Sequence, residues 1–425
     1  MKRYIRITSV TVIAIVSWAV LVFLGFSEGW LRQPVTASSS PDAFMVAAEK
    51  IAEEQSGGNI AVVLVEKGEV TDSHYISKGS PIDQDSVFQV ASLSKWLTAW
   101  GVMVLVEDGL IEIDAPVSQY LTRWQLPDSE FDHSGVTIGR LLSHTSGLDD
   151  SLGYNGFDTP EDVQSLEDSL THASDASPGK SGIVKVGNEP GAEWNYSGGG
   201  YTLLQLVIEE VSGLSFADHM QQRIFEPLGL TRTTFDHAEA IEMGLADNFT
   251  LDGRIEPLRW YSSLGATSLF TSPGDMAMFV EVQGPKGVQS VLSKETLAMM
   301  ATSHASSLGA DVWGLGVMIY APNNRGGFII GHDGNNEPAI NTAVRLDPAT
   351  GNGIVILETG SALLATKIAS EWVFWKTGNI DNLAFAMMLD TMFLWILFGS
   401  LLILLIGTWR IWRQWRRRTV ELDLG

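Results

Sequence analysis

The chain has 425 residues, 27 basic against 50 acidic side chains, a formal net charge of −23 and no cysteine. So acidic a balance repels nucleic acid and anionic polymers, and the lack of cysteine excludes disulfides, thiolate metal sites and a cysteine nucleophile. At this length one large domain or two interleaved ones are expected.

Residues 7–26 form an apolar run long enough to cross a bilayer, and Lys2, Arg3 and Arg6 before it keep the N-terminus cytoplasmic. Val35-Thr-Ala37 offers a signal-peptidase site, but the run exceeds a usual signal core, which favours an uncleaved anchor over residues 1–28 to a signal peptide. Residues 29–41 read as a polar linker, and 42–54 carry helical spacing through Phe44, Ala47, Ala48 and Ile51. Residues 59–65 and 70–77 read as strands joined at Lys67-Gly68.

Next comes a helix with almost no polar face: Leu93, Trp96, Leu97, Trp100, Val102, Met103, Val104, Leu105 and Val106 point in nearly every direction. Ser92 and Lys95 stand one turn apart at its start, so hydroxyl and amine share one side. An amine in such surroundings loses hydration and its pKa falls, placing a base beside a nucleophile. A second Ser-x-x-Lys, Ser177/Lys180, lies where Pro178 and Gly179 break any helix, and is read as a loop.

Residues 110–262 are short helices and loops, the clearest helix running over 201–211 and closed by Gly213. Strands are expected at 312–320, 327–331, 341–346 and 353–358, with a turn at 347–351 and a closing helix from 361 to about 376. This order reads as an α/β part, from 42–109 and 263–380, split by an all-α part at 110–262. A cleft between the two parts would lie beside Ser92. A second span is expected over 385–409. Its basic tail, 410–425, alternates Arg410, Arg413, Arg416, Arg417 and Arg418 with tryptophans. Both termini are thus expected in the cytoplasm, with the domain at 42–380 outside the membrane and more acidic than the whole.

Four segments occur in order: Val90-Ala-Ser-Leu-Ser-Lys95, Val136-Thr-Ile-Gly-Arg-Leu-Leu-Ser-His-Thr-Ser-Gly-Leu148, Glu189-Pro-Gly-Ala-Glu-Trp-Asn-Tyr-Ser-Gly198 and Gly331-His-Asp-Gly334. With them the chain resembles the serine β-lactamase and penicillin-binding-protein superfamily over about 47–377, which implies an α+β fold: an antiparallel sheet flanked by helices and split by an inserted all-α domain. It is most similar to the branch of class C β-lactamases, related esterases and D-amino-acid peptidases. The resemblance implies that Ser92 attacks an acyl carbon and forms an acyl-enzyme, with Lys95 and Tyr196 as a coupled pair either of which can be the base. A phenol near a lysine ammonium is expected to shift towards phenolate. The resemblance also implies an oxyanion hole from the backbone amides of Ser92 and Asn335, and Gly334 would let the strand edge approach the substrate.

Two positions depart from the family pattern. Gly198 replaces the asparagine of the second box, and His332 the lysine of the third, a group charged only near or below about 6.5 when unperturbed. Both weaken the expectation of penicillin-like substrates and favour an esterase or peptidase. His144 is read as structural, bonding a loop backbone, and Asp149-Asp150 as a solvated turn. No Gly-x-Ser-x-Gly elbow or His-Glu-x-x-His pair occurs, so no cofactor or metal is expected. The expected function is that of a serine hydrolase in a bacterial cytoplasmic membrane, acting outside it on a small-molecule or peptide ester or amide. The alternatives are a β-lactamase or D,D-carboxypeptidase, and a non-catalytic sensor that keeps the fold.

Overall fold

The computed structural model describes residues 2–150, 153–337 and 339–423. The side chains of Lys2, Arg3, Arg417 and Arg418, and residues 424–425 of the expected tail, lie outside the described residues. Two compact units emerge, one from 1–34 with 378–425 and one spanning Val35–Thr377.

In the first unit α1 (Lys2–Ser27) packs against a C-terminal helix, Asn382–Asp423, so the basic tail is a continuation of that helix. Gly407 faces Thr11 and Gly399 faces Trp18, which fixes an antiparallel pairing; a Cβ on Gly399 would lie 2.0 Å from the Trp18 indole nitrogen. Each helix is long and apolar enough to cross a membrane, with mean hydropathy of 2.5 and 2.3 in its most apolar window.

The second unit is built on an eight-stranded antiparallel sheet ordered β2-β1-β10-β9-β8-β7-β6-β5. Its strands are β1 (Ile60–Glu66), β2 (Glu69–Ile76), β5 (Ala305–Ser307), β6 (Ala310–Trp313), β7 (Met318–Pro322), β8 (Phe328–Asn336), β9 (Ile340–Asp347) and β10 (Asn352–Thr359), while β3 (Phe88–Gln89) and β4 (Phe270–Thr271) form a separate pair. The unbroken run Ile60–Val65 is buried on both faces because helices cover the sheet front and back. Behind it lie α2 (Pro41–Gln55) and the closing helix Leu364–Thr377, where Phe44 stacks on Trp375 with centroids 4.8 Å apart. In front lies α3 (Ser94–Glu107), buried all round as its lack of a polar face requires.

Residues 312–320 were expected as one strand, but the chain turns at Gly314-Leu-Gly316 and makes two. Gly316 has φ +80°, and a Cβ there would sit 2.1 Å from that of Ala99 in α3, so the turn exists to let the sheet meet the helix. The helical part carries α4 (Ile138–Leu142), α5 (Leu166–His172) and α6 (Gly198–Ser212). α6 begins three residues before the expected start, through three glycines that propensity disfavours. It is closed by Gly213 at φ +71°.

The back of the sheet holds a buried polar group. Arg345, fully buried, pairs with Asp333 and lies 3.4 Å over the ring of Tyr320, whose hydroxyl donates to Asp333 at 2.7 Å. On the same face Glu358 is completely buried, and burial raises its carboxyl from 4.5 to about 8, opposed in part by Ser361. The folded chain therefore holds this proton to higher pH than the unfolded one. Its stabilisation is complete below about 4.5 and drains as pH rises to about 8. Glu358→Gln should remove that slope, narrowing the drop in melting temperature between pH 5 and pH 8 by roughly 5 °C in thermal melts; an unchanged drop would place the titration elsewhere.

Candidate active site

Ser92 lies in a short 3-10 turn, Ala91–Leu93, that leads into α3. Ala91 before it has φ +48°, an uncommon value for a residue with a side chain, and the strain is held by the surroundings. Val90 donates its N–H to Leu269 O at 2.9 Å and its carbonyl accepts from Thr342 Oγ1 at 2.9 Å. Ser94 donates to Ala91 O and accepts from the Leu269 amide. The turn carrying Ser92 is thus tied to the sheet on one side and to the segment around 265–270 on the other.

Lys95 is 2 % exposed. Its Nζ lies 3.2 Å from Ser92 Oγ, and donates to the Ala266 carbonyl at 2.7 Å, from the short helix Leu264–Thr267. Desolvation lowers its pKa to about 7, resisted by the charge of Asp150. A neutral amine with one N–H on Ala266 O keeps a lone pair for the Ser92 proton. Tyr196 OH lies 2.9 Å from Ser92 Oγ, and Lys95 Nζ stands 5.0 Å from the centroid of its ring. Part of the ring reaches the surface, but the phenol's pKa is pushed up by burial, more than the Ser92 contact lowers it. The expected drift towards phenolate is reversed, because desolvation dominates.

The fourth segment, Gly331–Gly334, lies on β8. β7 pairs with β8 over residues 328–331, so the edge of residues 332–336 has no strand partner on that side and faces the Ser92 turn. Gly334 sits where a Cβ would be 2.0 Å from Val90 O and 2.4 Å from Thr342 Oγ1. Its lack of a side chain serves the docking of the chain on itself. Asn335 directs its side chain to the Ala362 carbonyl on the back face, leaving its backbone at this edge. His332 faces the front but is 1 % exposed, its ring edge-on to Trp313 at 5.4 Å. Burial, followed by the Lys95 charge, lowers it to about 3. Nδ1 lies 2.6 Å from the Asp333 carbonyl, so the proton sits there and Nε2 carries the lone pair. A neutral, covered imidazole is no receptor for a carboxylate.

Gly198 opens α6 beside Tyr196, with Ser197 as the N-cap accepting from the Gly200 amide at 2.8 Å. Asp150 accepts from the Gly199 amide at 2.8 Å and is 2 % exposed. The reading of Asp149-Asp150 as a solvated turn holds for exposed Asp149 and fails for Asp150, which the α6 N-terminus buries. Sequence reasoning also passed over Trp313, which meets Tyr196 at 5.7 Å, Trp194 at 5.8 Å and His144 at 4.6 Å, and the Ala266 carbonyl, which has no side-chain signature. Ser177 is in a loop, its hydroxyl near Asn155 Oδ1 and its carbonyl accepting the Lys180 amide at 3.1 Å. Among the described residues one group has metal-ligand chemistry, Glu49, Glu53 and His74, on α2 and the back face of β2, remote from this front-face site.

The sequence model of the Beta-lactamase family matches residues 47–368. Penicillin-binding protein 4* of Bacillus subtilis is 36 % identical over 184 residues, 41 % of this chain and 37 % of its own length. Esterase EstB of Burkholderia gladioli is 29 % identical over 187 residues, 43 % and 46 % of the two chains. The aligned part thus spans less than half the length of either relative. The octameric penicillin-binding protein homologue of Pyrococcus abyssi superimposes with a TM-score of 0.66 at 27 % identity, over 80 % of this chain and 77 % of that one.

Gly334→Ala tests the docking of β8 on the turn. The new methyl must push Val90 O away, and the expected result is a melting temperature lower by roughly 5 °C or more; an unshifted melt would show that the turn yields without cost.

Proposed function

This chain belongs to the Beta-lactamase family, and on that premise we propose that it is a serine hydrolase that acylates Ser92 and passes the acyl group to water. The observation that carries the reading is the position of Ser92 Oγ, 3.2 Å from Lys95 Nζ and 2.9 Å from Tyr196 OH. Neutral Lys95 takes the Ser92 proton as Oγ attacks the acyl carbon; the oxyanion is met by backbone amides of Ser92 and of Asn335 on the open β8 edge. Tyr196, kept as a phenol, relays a proton to the departing alcohol or amine and recovers it from Lys95. Water then attacks the acyl-enzyme with the same pair in reverse.

Among substrates we propose neutral esters or amides in preference to carboxylate-bearing β-lactams. Neutral, covered His332 and the absent asparagine at Gly198 both support this, and the esterase among the relatives is consistent with it. We also propose that α1 and the C-terminal helix anchor the chain in the membrane with the catalytic unit on the extracytoplasmic side, supported by their hydropathy and by Arg6, Arg410, Arg413 and Arg416 at one end of the pair.

A fluorophosphonate and a p-nitrophenyl ester should label Ser92 in the full chain, and Ser92→Ala should abolish labelling. Lys95 holds its proton below its pKa, so acylation should rise with pH through about 7 and level off above it. Tyr196→Phe should slow acylation by roughly 100-fold, as expected for loss of a positioned proton donor. Nitrocefin turnover faster than that of the ester would overturn the substrate preference, and absence of any label on Ser92 would overturn the hydrolase reading. External protease added to intact spheroplasts should remove the catalytic unit; full protection would reverse the proposed orientation.

A further inference from the structure

Tyr196 reaches Ser92 from a segment with little regular structure, Glu189–Ser197, so something other than a helix or strand must aim it. His144 is the residue placed to do so. α4 ends at Leu142, Ser143 caps it, and the chain then passes through His144 at φ +57°, a left-handed value that turns the imidazole inward, where it is 1 % exposed. The His144 carbonyl accepts the Asn195 amide at 2.8 Å, and its Nδ1 accepts the Ser197 amide at 3.0 Å. The residues on either side of Tyr196 are therefore fastened to the same partner. The imidazole also lies against the Tyr196 ring, centroids 4.5 Å apart and planes 37° apart, and meets Tyr201 at 5.2 Å behind it and Trp313 edge-on at 4.6 Å.

We propose that His144 is the positioning residue for Tyr196: through its carbonyl, its Nδ1 acceptor and its ring face it holds the phenol hydroxyl on Ser92 Oγ. The role rests on the acyl-enzyme reading of Ser92. It needs the tautomer with the proton on Nε2, since Nδ1 accepts. Burial, then the Lys95 and His332 charges, holds the ring well below its ordinary pKa, so the acceptor survives across the working range. Around it stand Lys95, Tyr196, Tyr201 and His332, none of which is an anion that would favour a protonated ring. His144 touches no reacting atom; it acts through Tyr196.

The test compares three substitutions in the full chain. In His144→Asn the side-chain oxygen takes the place of Nδ1, and asparagine tolerates the left-handed backbone. His144→Phe keeps a ring and loses the acceptor; His144→Ala loses both. Acylation of Ser92 by a p-nitrophenyl ester should fall roughly 10- to 100-fold in the Phe and Ala variants, the range of a misplaced proton-transfer group, with KM little changed and the pH inflection still near 7, because Lys95 is untouched. The Asn variant should stay within about 3-fold of the parent, since its acceptor is restored. In a Tyr196→Phe background His144→Ala should cost almost nothing further, since a residue acting through the phenol has nothing left to aim.

Hydrogen exchange gives a readout independent of activity. The Ser197 amide should lose protection in the Phe variant and keep it in the Asn variant, while the Asn195 amide, bonded to the His144 carbonyl, stays protected in both. Wild-type acylation in the Phe variant, an Asn variant as slow as Ala, or losses that multiply fully in the double variant would each overturn the proposal. If some variants fail to fold, the folded ones still decide it by the Ser197 amide. An unlabelled parent with the expected exchange pattern would instead overturn the acyl-enzyme reading while leaving the clamp in place.

Discussion

Removing Lys95 from water is the constraint on which the rest of the site depends. An exposed lysine is protonated at neutral pH and cannot accept a proton from serine. Here the amine stands at the start of α3 among Trp96, Trp100 and their neighbours, and its pKa falls to about 7. The burial succeeds because the amine keeps a partner, the Ala266 carbonyl, which satisfies one N–H without adding charge. A carboxylate at that point would have restored the ammonium. Asp150 acts in that direction, while its carboxylate also accepts from the Gly199 amide at the start of α6, which spreads its charge into a helix N-terminus.

The fold is arranged so that three layers meet on one turn. Thr342 of the sheet holds the Val90 carbonyl, Tyr196 of the helical part the Ser92 hydroxyl, and Leu269 the Val90 amide and Ser94 hydroxyl. Gly334 and Gly316 mark where the sheet comes close: one meets the Val90 carbonyl, the other the Ala99 methyl. Such contacts leave no room for a Cβ, which is why glycine stands at both places. The polar network behind the sheet, Arg345 with Asp333 and Tyr320, sits on the strands whose front faces carry Gly334 and Thr342. Buried pairs of this kind contribute little net stability but specify register, and register here decides which β8 residues face the cleft.

Much of this was legible in the sequence, and the boundary is physical. The Ser-Lys pair, the buried α3, most of the strands and the C-cap at Gly213 follow from local spacing and composition, and the antiparallel sheet from the family resemblance. What was missed depends on residues far apart in the chain. Asp150 reads as a surface turn until Gly199 is folded over it. Residues 312–320 read as one strand because the turn at Gly316 is imposed by α3, some two hundred residues away. The state of Tyr196 was misjudged for the same reason: a sequence places a lysine near a phenol but does not say how dry both are. His332 is similar, since nothing local announces that Trp313 covers it.

The hydrogen bonds that define the site span long stretches of chain: 104 residues from Ser92 to Tyr196, 171 from Lys95 to Ala266 and 252 from Val90 to Thr342. Contacts of such separation form late in folding, because the loops between their ends must close first. A chain that has not yet made them lacks the dry shell that lowers the Lys95 pKa and leaves its amine unprotonated. The turn that carries Ser92 gains its tie to the sheet only with β9 in place. A chain cut short before Thr342 would keep Ser92, Lys95 and Tyr196 yet lack the strand that holds the turn at residues 90–94 in place.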